Sequence, residues 1–212
     1  MKLLAADTAL GACSAALVEN GQVLAHRFAR MERGHAEALA PMVEEVMSGH
    51  DFASLDRLAI TTGPGTFTGQ RVGLAFMRAL RVALHVPLAG VTTLAAMAAQ
   101  AKHETKAARA IALHDARRDE VYIEIDDVPA VMRFDDAIVA LRREMSERIA
   151  LAGTAASRAC EALASDAFVL SAVRQPDALW VARLAATTTA SAEPPRPLYL
   201  RAPDAKLPAA RA

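Results

Sequence analysis

The hydrophobic pattern of the chain opens with extended segments. Lys2–Ala6 and Cys13–Val18 are short apolar runs. Asn20-Gly21 then supplies a two-residue turn into a further strand over 22–29, because both residues tolerate the positive φ that a tight hairpin requires. After Gly34 the period lengthens. Leu39, Met42, Val43 and Val46 recur at helical spacing and predict a helix over 35–48. Arg57–Thr62 reads as a strand broken by Gly63-Pro64-Gly65. The pattern then predicts a helix over 69–84 with Thr68 as its N-cap, ended at Val86-Pro87 because the residue before proline disfavours helix. Leu88–Val91 is a short strand, and an alanine-rich helix starts near Thr93.

This order, βββαβαβα, is that of one ribonuclease H-like lobe, the unit doubled in the actin/Hsp70/sugar-kinase superfamily. The second half reads as a degenerate copy. Ala110–His114 and Glu120–Ile125 are strands joined by Asp115-Ala116-Arg117-Arg118. Phe134–Met145 is a helix, Ile149–Ala152 a strand, and a helix runs from Gly153 toward Leu163. Phe168–Leu170 is a strand and Ala178–Thr188 a helix, after which Pro194, Pro195 and Pro197 hold the tail extended. The expected fold is therefore α/β with two such lobes, over 1–101 and 102–201, followed by a disordered tail over 202–212.

Charge and composition narrow the function. Lys+Arg and Asp+Glu both number 24, for a net charge of zero. A protein that grips RNA unaided usually carries a basic excess, so any nucleic acid is expected to be held mainly by a partner. The two cysteines, Cys13 and Cys160, lie far apart and outside metal-ligand spacing, which reads as reduced thiols in the cytoplasm. Asp7 interrupts the N-terminal apolar run too soon for a secretory signal, and no run approaches the roughly 20 residues that cross a bilayer.

Two segments carry candidate chemistry. Gly63, Gly65 and Thr66, ahead of a helix start, could cradle phosphate with backbone N–H groups and the helix dipole. The physics favours instead a tight turn that packs the helix onto the sheet, and no lysine follows as a Walker loop requires. Asp7 and Thr8 end the first strand, where a carboxylate could orient a hydrated cation or cap a turn through nearby N–H groups. No two of the six histidines sit at i,i+4, so the spacing offers no metal site and no cofactor. Cys13 and Cys160 have no neighbouring base to activate them. The apolar stripe of the first helix, with His35 at its start, and the surplus apolar surface of the second have two readings, core and helix–helix interface.

The segment Gly63–Leu80, GPGTFTGQRVGLAFMRAL, resembles the GPGSFTG-LR-G segment of the TsaB (YeaZ-like) family. Leu3–Thr8, Cys13–Leu17, Val86–Leu94, Asp115–Tyr122 and Pro197–Arg201 resemble further motifs of that family, densely up to Tyr122 and thinly beyond. The resemblance implies a non-catalytic partner of TsaD, the catalytic subunit that, with the ATPase TsaE, makes threonylcarbamoyladenosine on tRNA. It also implies docking on TsaD, or on a second copy of the chain, through the two helices. His35, Leu39, Met42, Val43, Val46, Gly73 and Met77 would form that contact, with Arg71 and Arg78 near its rim. TsaD resembles the same loop but binds metal through histidines after the following strand. Val91–Met97 here has no such side chain. The rival expectation is an autonomous enzyme of the superfamily, a phosphotransferase or a glycoprotease.

Overall fold

The computed structural model describes residues 1–144, 147–188 and 193–201. β1 (Lys2–Asp7), β2 (Ala12–Glu19), β3 (Gln22–Arg30), β4 (Arg57–Gly63) and β5 (Leu88–Thr92) form one mixed sheet in the order β3-β2-β1-β4-β5. β1–β3 form an antiparallel meander, whereas β1, β4 and β5 run parallel. Parallel neighbours need crossover connections. These are α1 (His35–Val46), between β3 and β4, and α2 (Phe67–Leu84), between β4 and β5. Asn20 and Gly21 hold φ of 50° and 84°, as the hairpin reading requires.

The second sheet contains β6 (Arg109–Asp115), β7 (Glu120–Ile125), β8 (Val128–Arg133), β9 (Ile149–Ala152) and β10 (Phe168–Leu170). Its order, β8-β7-β6-β9-β10, repeats that of the first. The "degenerate" second lobe thus keeps the whole strand plan, and what it has lost is length, with β9 four residues and β10 three. β8 is absent from the sequence-based expectation. Pro129 lowers its strand signal, and it is tolerated because β8 is an edge strand. The clue was Asp126-Asp127, a two-residue turn with φ of 50° and 62° between alternating apolar runs.

The helices α3 (Thr93–Thr105), α4 (Phe134–Arg143), α5 (Ala156–Leu163) and α6 (Ala178–Thr187) complete the fold. Both third helices cross over. α6 follows the second sheet yet packs on the first, where Ala178, Ala182 and Ala185 meet Leu3, Ala5, Ala16 and Ala59. α3 follows the first sheet and packs on the second, with Leu94, Met97 and Ala101 against Ala112, Ala150 and Ala152. Small residues on both sides let helix and sheet approach closely. With α1 and α2 on one face of the first sheet and α6 on the other, β1 is buried on both faces, so it reads as a continuous apolar run. The sequence division at 101/102 falls inside α3. Packing divides the molecule differently, because each half supplies a helix to the other's sheet. Residues 202–212, expected to be a disordered tail, lie outside the described residues.

Candidate functional site

The glycine loop and the end of β1 meet at one place. Thr66, not Thr68, is the N-cap of α2: its Oγ1 accepts from Gly69 N at 3.0 Å. The helix starts at Phe67, one residue after the cap. Thr66 N donates to Ala9 O at 2.8 Å, and Thr8 Oγ1 donates to Gly69 O at 2.7 Å. A Cβ on Gly65 would lie 2.3 Å from Ala9 O, and one on Gly69 2.3 Å from Thr8 O. One on Gly73 would lie 2.6 Å from Thr8 Oγ1. The glycines therefore let the chain's own β1–β2 turn approach closely, and that turn takes the Thr66 N–H that a phosphate reading would offer to an anion. The other side of that turn is also occupied. Gly11 N donates to Gln175 Oε1 at 2.8 Å, and the His35 ring Nε2–H donates to Leu10 O at 2.9 Å. Gly63, next to the cis peptide at Pro64, holds φ +109° against the side chain of Gln70. Packing is the reading this geometry supports.

Asp7 is fully buried. Its Oδ1 accepts from Thr61 Oγ1 at 2.5 Å and from Ala9 N at 3.2 Å, the second being the turn-capping bond. Burial pushes its pKa up from 3.8 to about 7, against the two hydrogen bonds, and the charge of Asp177 adds to the rise. The bond from Ala9 N is the one expected of a turn-capping aspartate. His114, on the strand face of Ala112, is buried too, and desolvation drives its pKa down to about 4 although Asp115 opposes it. Burial, with Asp7 adding, raises the Cys13 thiol to about 12, and burial raises Cys160 as well, so neither is activated as a nucleophile. His26 Nε2 pairs with Asp177 Oδ1 at 2.7 Å, but that oxygen also accepts from Leu179 N and caps α6. Among the described residues no group of three or more His, Cys, Asp or Glu is arranged to hold a metal ion. Among them, too, no helix is long and apolar enough to cross a membrane.

The helix stripe needs a correction. Leu39, Val43, Val46 and Met77 belong to the buried core under α1 and α2, and Met77 has no exposed surface. Gly73 is buried against Ile60 and Thr8. These residues hold the helices to the sheet and are not available to a partner. Met42, Val72, Phe76 and Leu80 lie half-buried against that core, and outside them Ala75, Ala79, Val82 and Ala83 face solvent, with Val82 67% exposed. Their spacing of four, seven and eight from Ala75 places them on one side of α2. Alanine carries little weight in a hydrophobic pattern, which is why the outer face escapes a sequence reading. Arg71 and Arg78 are not free rim charges. Arg71 Nε donates to Tyr199 Oη at 2.9 Å, and Arg78 Nε and Nη2 donate to Pro195 O at 3.1 and 2.5 Å.

A family model described as TsaD, tRNA N6-adenosine threonylcarbamoyltransferase, matches residues 22–139, more than half the chain. A solved structure from Pseudomonas aeruginosa, described as an uncharacterized protein with similarity to peptidase YeaZ, superposes with a TM-score of 0.77 at 30% identity. The match covers 94% of this chain and 99% of that one. This chain is a YeaZ-like member of the TsaD family. A structure described as YeaZ from P. aeruginosa gives a TM-score of 0.72 at 28% identity, with the same coverage. The Escherichia coli K12 protein described as tRNA threonylcarbamoyladenosine biosynthesis protein TsaB is 41% identical over 124 residues, 58% of this chain and 53% of that protein. The Bacillus subtilis TsaB is 30% identical over 124 residues. The YeaZ-like chain thus spans about half the length of the curated relatives it matches.

Proposed function

We propose that the chain supports threonylcarbamoyladenosine formation on tRNA in the cytoplasm as a non-catalytic subunit, docking on a TsaD-type catalytic partner. The observation that carries this reading is a contrast between two surfaces. The glycine loop is packed against the protein's own β1–β2 turn, while α2 leaves an apolar outer face, Ala75, Ala79, Val82 and Ala83, in solvent. With the half-buried seam of Met42, Val72, Phe76 and Leu80 beside it, that face suits a helix–helix contact built on small residues. The names of the TsaB relatives supply the process. The zero net charge is consistent with tRNA being held by the assembled complex, in which an ATPase of the TsaE type would also take part. A second copy of the chain would use the same face when the catalytic partner is absent.

Co-purification with TsaD from the same organism tests the docking face. Val82→Glu places a charge on the outer face and touches no core residue, so it should abolish co-purification while leaving far-UV circular dichroism unchanged. An intact complex would rule the face out. The non-catalytic assignment is tested separately by titrating the pure chain with ATP and magnesium, where micromolar binding followed by turnover would overturn it.

A further inference from the structure

Among the described residues after α6 none belongs to either sheet, yet residues 193–201 are tied to both lobes. Pro195 lies against Gly90 of β5, where a Cβ would come within 2.7 Å of the proline ring. Its carbonyl takes both hydrogen bonds from Arg78 of α2. Leu198 N donates to Thr62 O at 2.8 Å. The Tyr199 ring stacks on Phe67 with centroids 5.8 Å apart, and the Arg71 guanidinium lies 3.5 Å from the Phe67 centroid while bonding the tyrosine hydroxyl. Two residues later the chain has crossed to the second lobe. Arg201 Nη1 donates to Ala116 O at 3.0 Å, and its Nη2 pairs with the Glu120 carboxylate.

The turn that receives Arg201 is strained. Arg117, Arg118 and Asp119 hold φ of 63°, 56° and 59°, a run of left-handed non-glycine residues. Such conformations persist where their surroundings over-determine them. Inside the turn, Ala116 N donates to Glu120 O and Glu120 N to Arg117 O. From outside, Arg201 holds both the Ala116 carbonyl and the Glu120 side chain. The grip on α2, by contrast, is made by the side chains of Phe67, Arg71 and Arg78.

We propose that Glu193–Arg201 is a latch between the lobes, holding the β6–β7 turn against α2, so that lifting the segment from α2 loosens the turn. A groove of about 360 Å³ between Arg71, Leu74, Ala75, Arg78, Pro197 and Tyr199 runs between the segment and α2. Anything that settles on that end of α2 competes with the latch and is coupled through it to the second lobe.

Amide hydrogen exchange on the full chain tests this coupling. Arg78→Ala removes the two hydrogen bonds to Pro195 O, both made within the first lobe. It should speed exchange about tenfold at Leu198 and also, in the second lobe, at Ala116 and Glu120. Faster exchange at Leu198 alone, with Ala116 and Glu120 unchanged, would overturn the latch. Arg201→Ala is the reciprocal test and should speed exchange at Leu198, and an unaltered Leu198 is equally fatal. Should Arg78→Ala fail to fold, Tyr199→Phe keeps the ring stack and removes only the bond from Arg71. It should give the same pattern at about two- to threefold.

Discussion

Replacing Gly69 by alanine distinguishes a packing glycine from a phosphate-cradling one. Gly69 sits in the first turn of α2, where alanine would ordinarily favour the helix by up to about 1 kcal/mol. Here the new methyl group would lie 2.3 Å from Thr8 O and 2.6 Å from Thr66 Oγ1. The first contact is with backbone beside the buried Asp7, and the second is with the N-cap of the same helix. Overpacking of this kind costs about 1–3 kcal/mol, and losing the cap about 1 kcal/mol more. Set against the helix preference, the net loss is about 2 kcal/mol, which for a chain of this size lowers the melting temperature by roughly 4–8 °C. Thermal unfolding followed by circular dichroism measures it, with Ala75→Gly on the exposed face as control, expected to cost about 1 kcal/mol from helix preference alone. If Gly69→Ala melts at or above the wild-type temperature, the glycine loop is not a packing device and the account of the filled site fails.

Two buried ionisable groups give opposing pH signatures. The folded-state pKa of Asp7, about 7 against 3.8, makes the folded chain bind more protons between those values, so its contribution to stability declines as pH rises from about 4 to 7. His114, at about 4 against 6.5, does the reverse: its contribution is complete above pH 6.5 and is lost as pH falls toward 4. The two partly cancel in the wild type, so the variants are needed. Urea unfolding between pH 4.5 and 6.5 should show stability rising with pH in Asp7→Asn and falling in His114→Leu, and equal slopes in both would contradict the assigned burial. The third test is a contrast of positions on α2. Met77→Glu buries an unpaired charge in the core and should cost about 3–5 kcal/mol. Val82→Glu should stay within about 0.5 kcal/mol of wild type, and equal losses in chemical denaturation would mean that the burial pattern of α2 is misassigned.

Much of the architecture was readable because local signals agreed with one another. Asn20-Gly21 set a hairpin, the spacing of Leu39, Val43 and Val46 set a helix face, and the Gly-Pro break separated β4 from α2. β8 went unread because Pro129 weakened a strand that survives at a sheet edge. The N-cap was placed two residues late because Thr66 and Thr68 carry the same hydroxyl, and only the bond to Gly69 N distinguishes them. The candidate site was half legible. Asp7 was open between cation ligand and turn cap, and the bond from Ala9 N matches the cap; Leu39, Val43, Val46 and Met77 were open between core and interface, since both demand the same apolar residues at the same spacing.

The sequence by itself determined the order of elements apart from β8, the doubled lobe and the family motifs, because periodicity, turn chemistry and capping act over a few residues. Which surfaces remain available was decided by tertiary structure. The crossing of α3 and α6 between sheets, the backbone of Thr8 and Ala9 filling the glycine loop, and the return of Pro195–Arg201 over α2 all join residues far apart in the chain. Such contacts are selected by close packing and by satisfying buried polar groups, and neither leaves a periodic trace in one dimension.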